Sequence, residues 1–261
     1  MPKQEYKEYN NILLSSSGNI SRIIINRPKK HNALDIDTLN GLKEALAEVS
    51  SDENAKILII SGSEDKAFCA GVDVDYLSTF KDEADILHFS NLIHNIFDSI
   101  MKMEKPVIAE IRGYCLGGGC ELAMSCDIRI ASSDAKFGQP EVKLGIIPGA
   151  GGTRLLPQIV GSSNAKMLIF TGDMISAEEA LRIGLLNIVT DAQSLERETI
   201  AIAEKILENS YNAVKKAKKA MASKYDYDHS AEENGFIECF THRDKNEGFL
   251  AFAEKRKPRF E

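Results

Sequence analysis

The sequence lacks a long apolar run and an excess of positive charge. No stretch reaches the roughly 18 consecutive apolar residues of a membrane-spanning helix, so no membrane segment is predicted. The 32 lysines and arginines stand against 39 acidic residues and give a formal net charge of −7. General affinity for nucleic acid requires clustered cations, so none is expected. The N-terminal residues include acidic side chains and no apolar core, so neither a secretory signal nor a transit peptide is predicted.

The sequence also lacks the cysteine and histidine patterns of disulfide or metal sites. The five histidines are scattered, and no pair has the one-turn spacing of a helical metal site, so we expect no metal. The cysteines are odd in number and lie mostly in apolar surroundings, which indicates reduced core residues in a cytoplasmic protein. These cysteines are Cys69, Cys115, Cys120, Cys126 and Cys239.

The first two thirds of the chain alternate short β-branched runs with helical periodicity. The runs at residues 20–26, 56–61, 106–111 and 127–131 predict strands. Two apolar stripes between them predict amphipathic helices, namely Leu39, Leu42, Leu46 and Val49, then Ile86, Phe89, Ile93, Phe97 and Ile100. The alternation predicts an α/β fold in which helices pack on largely parallel sheets.

Beyond about residue 160 the strand signals nearly stop, and the last third is predicted to be helical. Ser176 and Glu179 fit a capping box, and Gly184 fits a helix C-terminal stop. The basic run of residues 215–219 is interpreted as the solvated face of a helix. Four phenylalanines are spaced to line helix faces, where they pack in the core or against a second subunit or ligand: Phe236, Phe240, Phe249 and Phe252.

Two glutamates, Glu121 and Glu141, follow glycine or proline turns within one short stretch. The triple glycine of residues 117–119 precedes Glu121, lets the backbone approach a ligand, and leads into a predicted helix whose first N–H groups have no intrahelical partners. A second glycine turn, at Gly71, can supply another donor. Carboxylates beside such donors favour proton chemistry next to a carbonyl. A plain turn or close helix packing is the alternative interpretation of the glycines.

Several longer motifs, in one order along residues 12–260, resemble the enoyl-CoA hydratase/isomerase (crotonase) superfamily. They are Asn26-Arg27-Pro28, Asn32-Ala33-Leu34, Phe68-Cys-Ala-Gly-Val-Asp73, Gly117-Gly-Gly-Cys-Glu-Leu-Ala123, Cys126-Asp127, Phe137-Gly-Gln-Pro-Glu141, Gly145, Pro148-Gly-Ala-Gly-Gly-Thr153 and Glu254-Lys-Arg-Lys257. The resemblance implies a spiral of repeated ββα units with the active site in residues 1–200. It also implies a helical region, residues 201–261, that serves trimerisation and completes the CoA site. The expected assembly is a homo-oligomer, a trimer or a dimer of trimers.

The resemblance further implies how the site works. The thioester oxygen of an acyl-CoA substrate lies between the backbone N–H groups of Val72 and Gly118. Glu141 donates a proton to C2, and Glu121 orients and deprotonates the attacking water. No separate cofactor is expected, because coenzyme A is part of the substrate. Candidate substrate and CoA contacts carry over to Lys29, His31, Ala33, Ala70, Asp73, Val74, Phe236 and Lys255.

The expected reaction is the reversible syn hydration of 2-trans-enoyl-CoA thioesters to (3S)-3-hydroxyacyl-CoA, as in β-oxidation. Alternatives are another enolate reaction of the same fold, such as double-bond isomerisation or hydration of an alicyclic dienoyl-CoA, and a non-catalytic CoA-ester or RNA-binding scaffold. The residues Glu110, Arg112 and Lys143 depart from the commonest family wording, and an ion pair or subunit packing is expected of them. The sequence does not determine the acyl group.

Overall fold

The computed structural model describes residues 5–222 and, beyond them, only Arg243, Glu247, Glu254, Arg256 and Arg259. In chain order the strands are β1 (Lys7–Tyr9), β2 (Ile12–Ser17), β3 (Ile20–Ile25), β4 (Ile57–Gly62), β5 (Ala67–Cys69), β6 (Val107–Ile111), β7 (Tyr114–Leu116), β8 (Ile128–Ser132), β9 (Lys136–Gly138), β10 (Ile175–Ser176) and β11 (Ile188–Thr190). The helices are α1 (Ile36–Ser51), α2 (Val74–Leu77), α3 (Glu83–Lys102), α4 (Gly118–Ser125), α5 (Gly152–Val160), α6 (Ser162–Thr171), α7 (Ala177–Arg182), α8 (Leu195–Leu207) and α9 (Tyr211–Ala222). Two 3-10 turns cover Pro28–Lys30 and Pro140–Leu144.

The strands form two sheets. The larger sheet has the order β1-β2-β3-β4-β6-β8-β11, in which β1, β2 and β3 pair antiparallel and the strands from β3 to β11 pair parallel. The smaller sheet has the order β10-β9-β7-β5, with β5, β7 and β9 parallel and β10 antiparallel to β9. Consecutive parallel strands within a sheet require crossover connections. Helix α1 connects β3 to β4, and the later connections run through the other sheet and a helix.

Three successive repeats therefore share one pattern. A strand of the larger sheet is followed by a strand of the smaller sheet and then by a helix: β4, β5 and α3 after the short α2; β6, β7 and α4; β8, β9 and α5. This confirms the expected α/β spiral of ββα units. Because the short strands lie side by side, the turns that leave β5, β7 and β9 come together at one edge of the smaller sheet.

The central strand β4 shows why the larger sheet is so apolar in sequence. Leu58 and Ile60 face the main core beneath α1 and α3, whereas Ile57 and Ile59 face a second cluster with Leu195 of α8. A parallel strand covered on both faces reads as an unbroken apolar run rather than as an alternation. The four predicted strands agree with the structure within one residue at each end.

The helix predictions are confirmed except at the start of α3. The stripe on α1 is buried along its full length, but Ile86 is 54% exposed, because residues 84–88 all lie on the surface and α3 meets the core only from Phe89 onward. On α7, the Ser176 hydroxyl accepts from the Glu179 N–H at 3.2 Å, and Gly184 follows the helix with φ +83°. Two strands, β10 and β11, occur beyond residue 160 and are too short to produce a periodic signal.

Other expectations have mixed outcomes. Four of the cysteines are buried and unpaired, as predicted, while Cys239 lies outside the described residues. In the lysine run on α9, Lys215 pairs with Glu104 and Lys218 with Asp127, so this surface is less uniformly solvated than expected.

The predicted division after residue 200 falls within α8, and the trimerisation role of the last segment stays a prediction. Within the described part of the chain, no helix is both long and apolar enough to cross a membrane.

Glu110 and Arg112 do not pair with each other. Glu110 on β6 receives two hydrogen bonds from Arg22 on β3, at 2.6 and 3.2 Å, and both side chains are buried. Arg112 contacts Asp65, and Lys143 contacts Asp173. Alternation along β6 indicates which face of the sheet Glu110 occupies. It does not identify Arg22, which lies 88 positions away along the chain, as the partner of Glu110.

We expect Glu110→Gln to lower the free energy of unfolding by about 3 kcal/mol, because it leaves the buried Arg22 guanidinium without its counter-charge. Urea denaturation measures this loss. The control is Glu196→Gln, which removes an exposed carboxylate 3.8 Å from the same arginine and should change stability by less than about 1 kcal/mol. Equal losses in the two variants would contradict a dominant Arg22–Glu110 pair.

Candidate active site

The first predicted catalytic residue, Glu121, lies in the first turn of α4 and is only 2% exposed. Its Oε1 accepts hydrogen bonds from the backbone N–H groups of Ala150 and Gly152, at 2.9 and 2.7 Å. Both donors belong to the glycine-rich turn that leads into α5. A Cβ at position 152 would lie 2.9 Å from that carboxylate oxygen, so the close approach depends on glycine.

The second predicted catalytic residue, Glu141, lies in the 3-10 turn directly after β9 and is 9% exposed. The preceding Gln139 is almost completely buried. With its amide nitrogen turned toward Glu141, the orientation that satisfies both groups, Gln139 donates to the two carboxylate oxygens at 2.9 and 3.1 Å. When Glu141 is protonated, the opposite amide orientation offers an oxygen that accepts from the carboxylic O–H.

The structure brings the two glutamates to one place. A Cβ on Gly117, which begins α4, would lie 2.9 Å from Glu141 Oε1. A Cβ on Gly152 would lie 2.9 Å from Glu121 Oε1 and 3.1 Å from the side-chain amide of Gln139. The Gln139 amide thus lies beside both carboxylates, and the glycine turns of β7–α4 and of α5 surround them.

The two predicted oxyanion donors also lie next to each other. A Cβ on Gly118 would come within 3.4 Å of the Val72 nitrogen. Val72 precedes α2 and Gly118 is the first residue of α4, and among the described residues neither N–H donates to a backbone carbonyl. Gly117, directly before Gly118, has φ +50° and ψ −126°, a conformation that side chains disfavour, and the N–H groups of the helix turn that follows it make no intrahelical bond. The pair can therefore receive one carbonyl oxygen.

Burial changes the acidity of both carboxyl groups. It raises the pKa of Glu141 to about 7, and the nearby Glu121 carboxylate acts in the same direction, while a backbone hydrogen bond opposes them. Burial also raises the pKa of Glu121, against the N–H groups of Gly152 and Ala150, which stabilise its ionised form. Two interacting carboxyl groups of this kind favour a state that holds one proton between them near neutral pH.

The candidate CoA-binding residues come from two segments that lie side by side. The Ala70 N–H donates to the His31 carbonyl at 3.0 Å, and Leu34 forms a parallel bridge with Val72. Lys29 and His31 are exposed, and the His31 ring meets Tyr114 edge-on at 6.4 Å between ring centroids. Side chains on this rim can meet a phosphate-bearing ligand.

The remaining candidates differ in their surroundings. Ala33 is buried, with its carbonyl bonded to Arg27, and Val74 is exposed at the start of α2. The Asp73 carboxylate is held by Arg27 and by the Asp75 N–H. Phe236 and Lys255 lie outside the described residues. Contact of all eight candidates with CoA stays a prediction.

Sequence reasoning assigned no role to Gln139, to the Ala150 and Gly152 N–H groups, or to Arg27. Gln139 precedes the Pro-Glu dipeptide, and consecutive glycines precede α5, so both positions carried a local signal. The identity of their partner did not follow from that signal, because Glu121 is 29 residues before Ala150 along the chain. Arg27 is a surface-type residue in sequence, and its buried contacts arise only in the folded chain.

Comparison with known proteins identifies the family of this chain. The model of the enoyl-CoA hydratase/isomerase family matches residues 15–261. A crotonyl-CoA hydratase of Syntrophomonas wolfei is 46% identical and covers 97% of this chain and 98% of its own length. A short-chain-enoyl-CoA hydratase of Clostridium acetobutylicum is 44% identical over 96% of this chain and 97% of its own. The crystal structure of an enoyl-CoA hydratase from Bacillus anthracis superposes with a TM-score of 0.91 at 37% identity, covering 96% of this chain and 98% of that chain.

The chain belongs to the enoyl-CoA hydratase/isomerase family. The resemblance drawn from the sequence motifs and the expectation of an enzyme are thereby confirmed. The family name covers hydratases and isomerases, and the glutamates of this chain bear on which of the two reactions it catalyses.

Proposed function

We propose that this protein hydrates 2-trans-enoyl-CoA thioesters reversibly to (3S)-3-hydroxyacyl-CoA, with Glu121 and Glu141 as the catalytic residues. The observation that carries the proposal is the burial of both carboxyl groups beside two neighbouring backbone donors, Val72 and Gly118. Relatives named crotonyl-CoA hydratase and short-chain-enoyl-CoA hydratase support a short acyl chain.

The oxyanion hole prepares the substrate for attack. The thioester carbonyl is conjugated with the C2–C3 double bond, so withdrawal of electrons at its oxygen makes C3 electrophilic. As water adds to C3, negative charge collects on the thioester oxygen, where the Val72 and Gly118 N–H groups stabilise the enolate. Removing one such donor typically costs about 3 kcal/mol of transition-state stabilisation.

The glutamates divide the proton transfers. Ionised Glu121, held by Ala150 and Gly152, orients a water molecule and accepts its proton as the new C–O bond forms. Protonated Glu141 delivers its proton to C2 of the enolate, which completes the addition of H and OH. The pair returns to its starting state when one proton passes from Glu121 to Glu141, directly or through solvent. The placement of both groups at one edge supports syn addition.

We expect a bell-shaped pH dependence of kcat/KM, because the productive enzyme holds one proton on the pair. Above about pH 7, the pKa of Glu141, this proton is lost and kcat/KM falls about tenfold per pH unit. On the acid side it falls as Glu121 is protonated too. Hydration and dehydration should share one profile, since the two productive forms differ only in which glutamate carries the proton.

Rates measured in both directions from about pH 5 to about pH 9 test this expectation. In Glu121→Gln the loss of the neighbouring negative charge should shift the basic limb of any residual activity to lower pH. A flat profile around neutral pH would contradict the shared proton.

The test of the function is mixing the purified protein with crotonyl-CoA and following the ultraviolet absorbance of the conjugated thioester, with chromatographic separation of products. Formation of 3-hydroxybutyryl-CoA supports the proposal. Tight binding without turnover would redirect the search to longer or alicyclic thioesters. A product with only a shifted double bond would favour the isomerase alternative, which one carboxylate can serve and for which the buried Glu121 has no necessary role.

We also propose that the protein is a cytoplasmic homo-oligomer, and an exposed apolar surface supports the association of subunits. Met167 and Phe170 on α6 are 66% and 73% exposed, and Leu144 is exposed on the 3-10 turn that packs against α6. Leu144 lies three residues after Glu141, so a subunit that covers this surface also borders the active site. Light scattering of the wild-type protein determines whether it is a trimer or a dimer of trimers.

A further inference from the structure

An ion-pair cluster lies directly behind the proposed oxyanion hole. The Arg27 Nη2 atom is 2.9 Å from Asp35 Oδ2 and 2.9 Å from Asp73 Oδ2. The Arg27 Nη1 atom donates to the Ala33 carbonyl at 2.8 Å. All three charged side chains are largely shielded from solvent, so these interactions are weakened little by water and salt.

Each aspartate of this cluster also begins a helix. Asp35 Oδ1 accepts from the Thr38 N–H at 2.9 Å at the start of α1. Asp73 Oδ1 accepts from the Asp75 N–H at 3.0 Å at the start of α2. Burial is the largest influence on the pKa of Asp73 and acts to raise it, but the hydrogen bonds from Arg27 and the Asp75 N–H, together with the charges of Arg27 and Lys30, outweigh it, and the net shift is downward. Arg27 therefore links the N-cap residues of α1 and α2.

The backbone next to Asp73 carries the proposed donor. The Leu34 N–H donates to the Gly71 carbonyl and the Leu34 carbonyl accepts from the Asp73 N–H, both at 2.8 Å. Since these bonds use the groups on either side of Val72, the Val72 N–H faces away from Leu34, on the side where Gly118 lies. The position of this N–H depends on what holds residues 71–73 against residues 33–35.

We propose that Arg27 is a positioning residue of the oxyanion hole, which fixes the Val72 N–H relative to the Gly118 N–H by clamping Asp73 to Asp35. The role depends on the proposed function, because the spacing of the donors matters when an enolate oxygen binds between them. Without the guanidinium group, the two carboxylates repel each other and the segment that carries Val72 moves away. A donor displaced by about 1 Å can cost about 10²-fold in rate.

The variants Arg27→Gln and Arg27→Lys test this role, with Arg22→Gln as the matched control. Arg22 is also a buried arginine in a carboxylate pair. Its partner Glu110 lies two residues after Ile108 on β6, on the face of the larger sheet that packs against α8. Four readouts are compared: kcat and KM for crotonyl-CoA, the affinity for free CoA, the affinity for acetoacetyl-CoA with the absorbance of its bound enolate, and the thermal unfolding midpoint.

We expect Arg27→Gln to lower kcat and the affinity for the acetoacetyl-CoA enolate by a similar factor, about tenfold to 100-fold, with the affinity for free CoA nearly unchanged. Arg27→Lys should recover part of both effects, because it keeps the charge but not the planar guanidinium group, whose Nη2 reaches both aspartates while Nη1 binds the Ala33 carbonyl. Arg22→Gln should lower the unfolding midpoint while its kcat and enolate affinity stay at the wild-type level.

A purely structural role predicts the opposite result. If Arg27→Gln loses stability as Arg22→Gln does but binds the enolate as the wild type does, the positioning role is wrong. If Arg27→Gln does not fold, Arg27→Lys decides by the same comparison. If the wild-type protein hydrates neither crotonyl-CoA nor a longer or alicyclic enoyl-CoA, the proposed function fails by itself. Acetoacetyl-CoA binding then still decides the role of Arg27, since enolate stabilisation requires the donors and not the addition of water.

Discussion

Glu141→Gln should lower kcat for hydration of crotonyl-CoA by about 10²- to 10⁴-fold, the range expected when a general acid is removed. Glutamine keeps the shape of the side chain but has no proton to give to C2 at neutral pH. The pKa of Glu141, about 7, is what makes this carboxyl group an effective proton donor near neutrality. KM should change little, because the oxyanion donors and the CoA segments are untouched.

A second measurement identifies the role of Glu141 more directly. Butyryl-CoA, which has no double bond, can still exchange its C2 protons with deuterated water when a base removes them and the oxyanion hole stabilises the enolate. Glu141→Gln should abolish this exchange. The control is Glu110→Gln, a buried carboxyl group of similar exposure that pairs with Arg22 on the larger sheet, which should leave exchange and turnover at the wild-type level. Normal exchange in Glu141→Gln would assign the C2 proton to another group.

Glu121→Gln should also reduce hydration by about 10²- to 10⁴-fold, for a different reason. The amide cannot accept a proton from water, so the nucleophile that attacks C3 is not activated. The protein should remain folded, because an amide oxygen can accept the same two hydrogen bonds that Ala150 and Gly152 donate to Oε1. Stopped-flow absorbance with crotonyl-CoA and a melting curve measure the two expectations.

Glu121→Gln and Glu141→Gln should separate in the exchange experiment. Exchange at C2 of butyryl-CoA requires no water attack, so Glu121→Gln should retain much of it although hydration is lost. Loss of both activities in both variants would mean that the carboxyl groups act as one inseparable unit. Retention of hydration in Glu121→Gln would contradict the assignment of Glu121 as the base that activates the water.

The glutamine between the two carboxyl groups explains how their roles can alternate. Gln139 donates to ionised Glu141, and it can accept from protonated Glu141 after its amide rotates. It therefore satisfies Glu141 in both protonation states that reversible hydration requires. Its nearly complete burial keeps water from competing for these hydrogen bonds.

The sequence by itself determined the class of fold and the chemical groups of the site. The apolar run of β4 is the pattern of a strand that is buried on both faces, and the apolar stripe on α1 is the pattern of a helix that is buried on one face. Both patterns are visible in consecutive residues of the chain. Gly117 and the two glutamates were recognisable because they stand in motifs that resemble the family, beside glycines that let the backbone approach a ligand. These features need only the neighbouring residues in the chain to be interpreted.

The tertiary structure alone decided which distant groups meet. The hydrogen bonds from Ala150 and Gly152 to Glu121, the pairing of Arg22 with Glu110, and the clamp of Arg27 on Asp35 and Asp73 join segments whose separation along the chain carries no periodic signal. Such contacts arise because the spiral stacks successive ββα units and brings their turns to one edge. Local sequence specifies each turn, but only packing of the units fixes their relative positions, and with them the acidity of Glu141 and the spacing of the oxyanion donors.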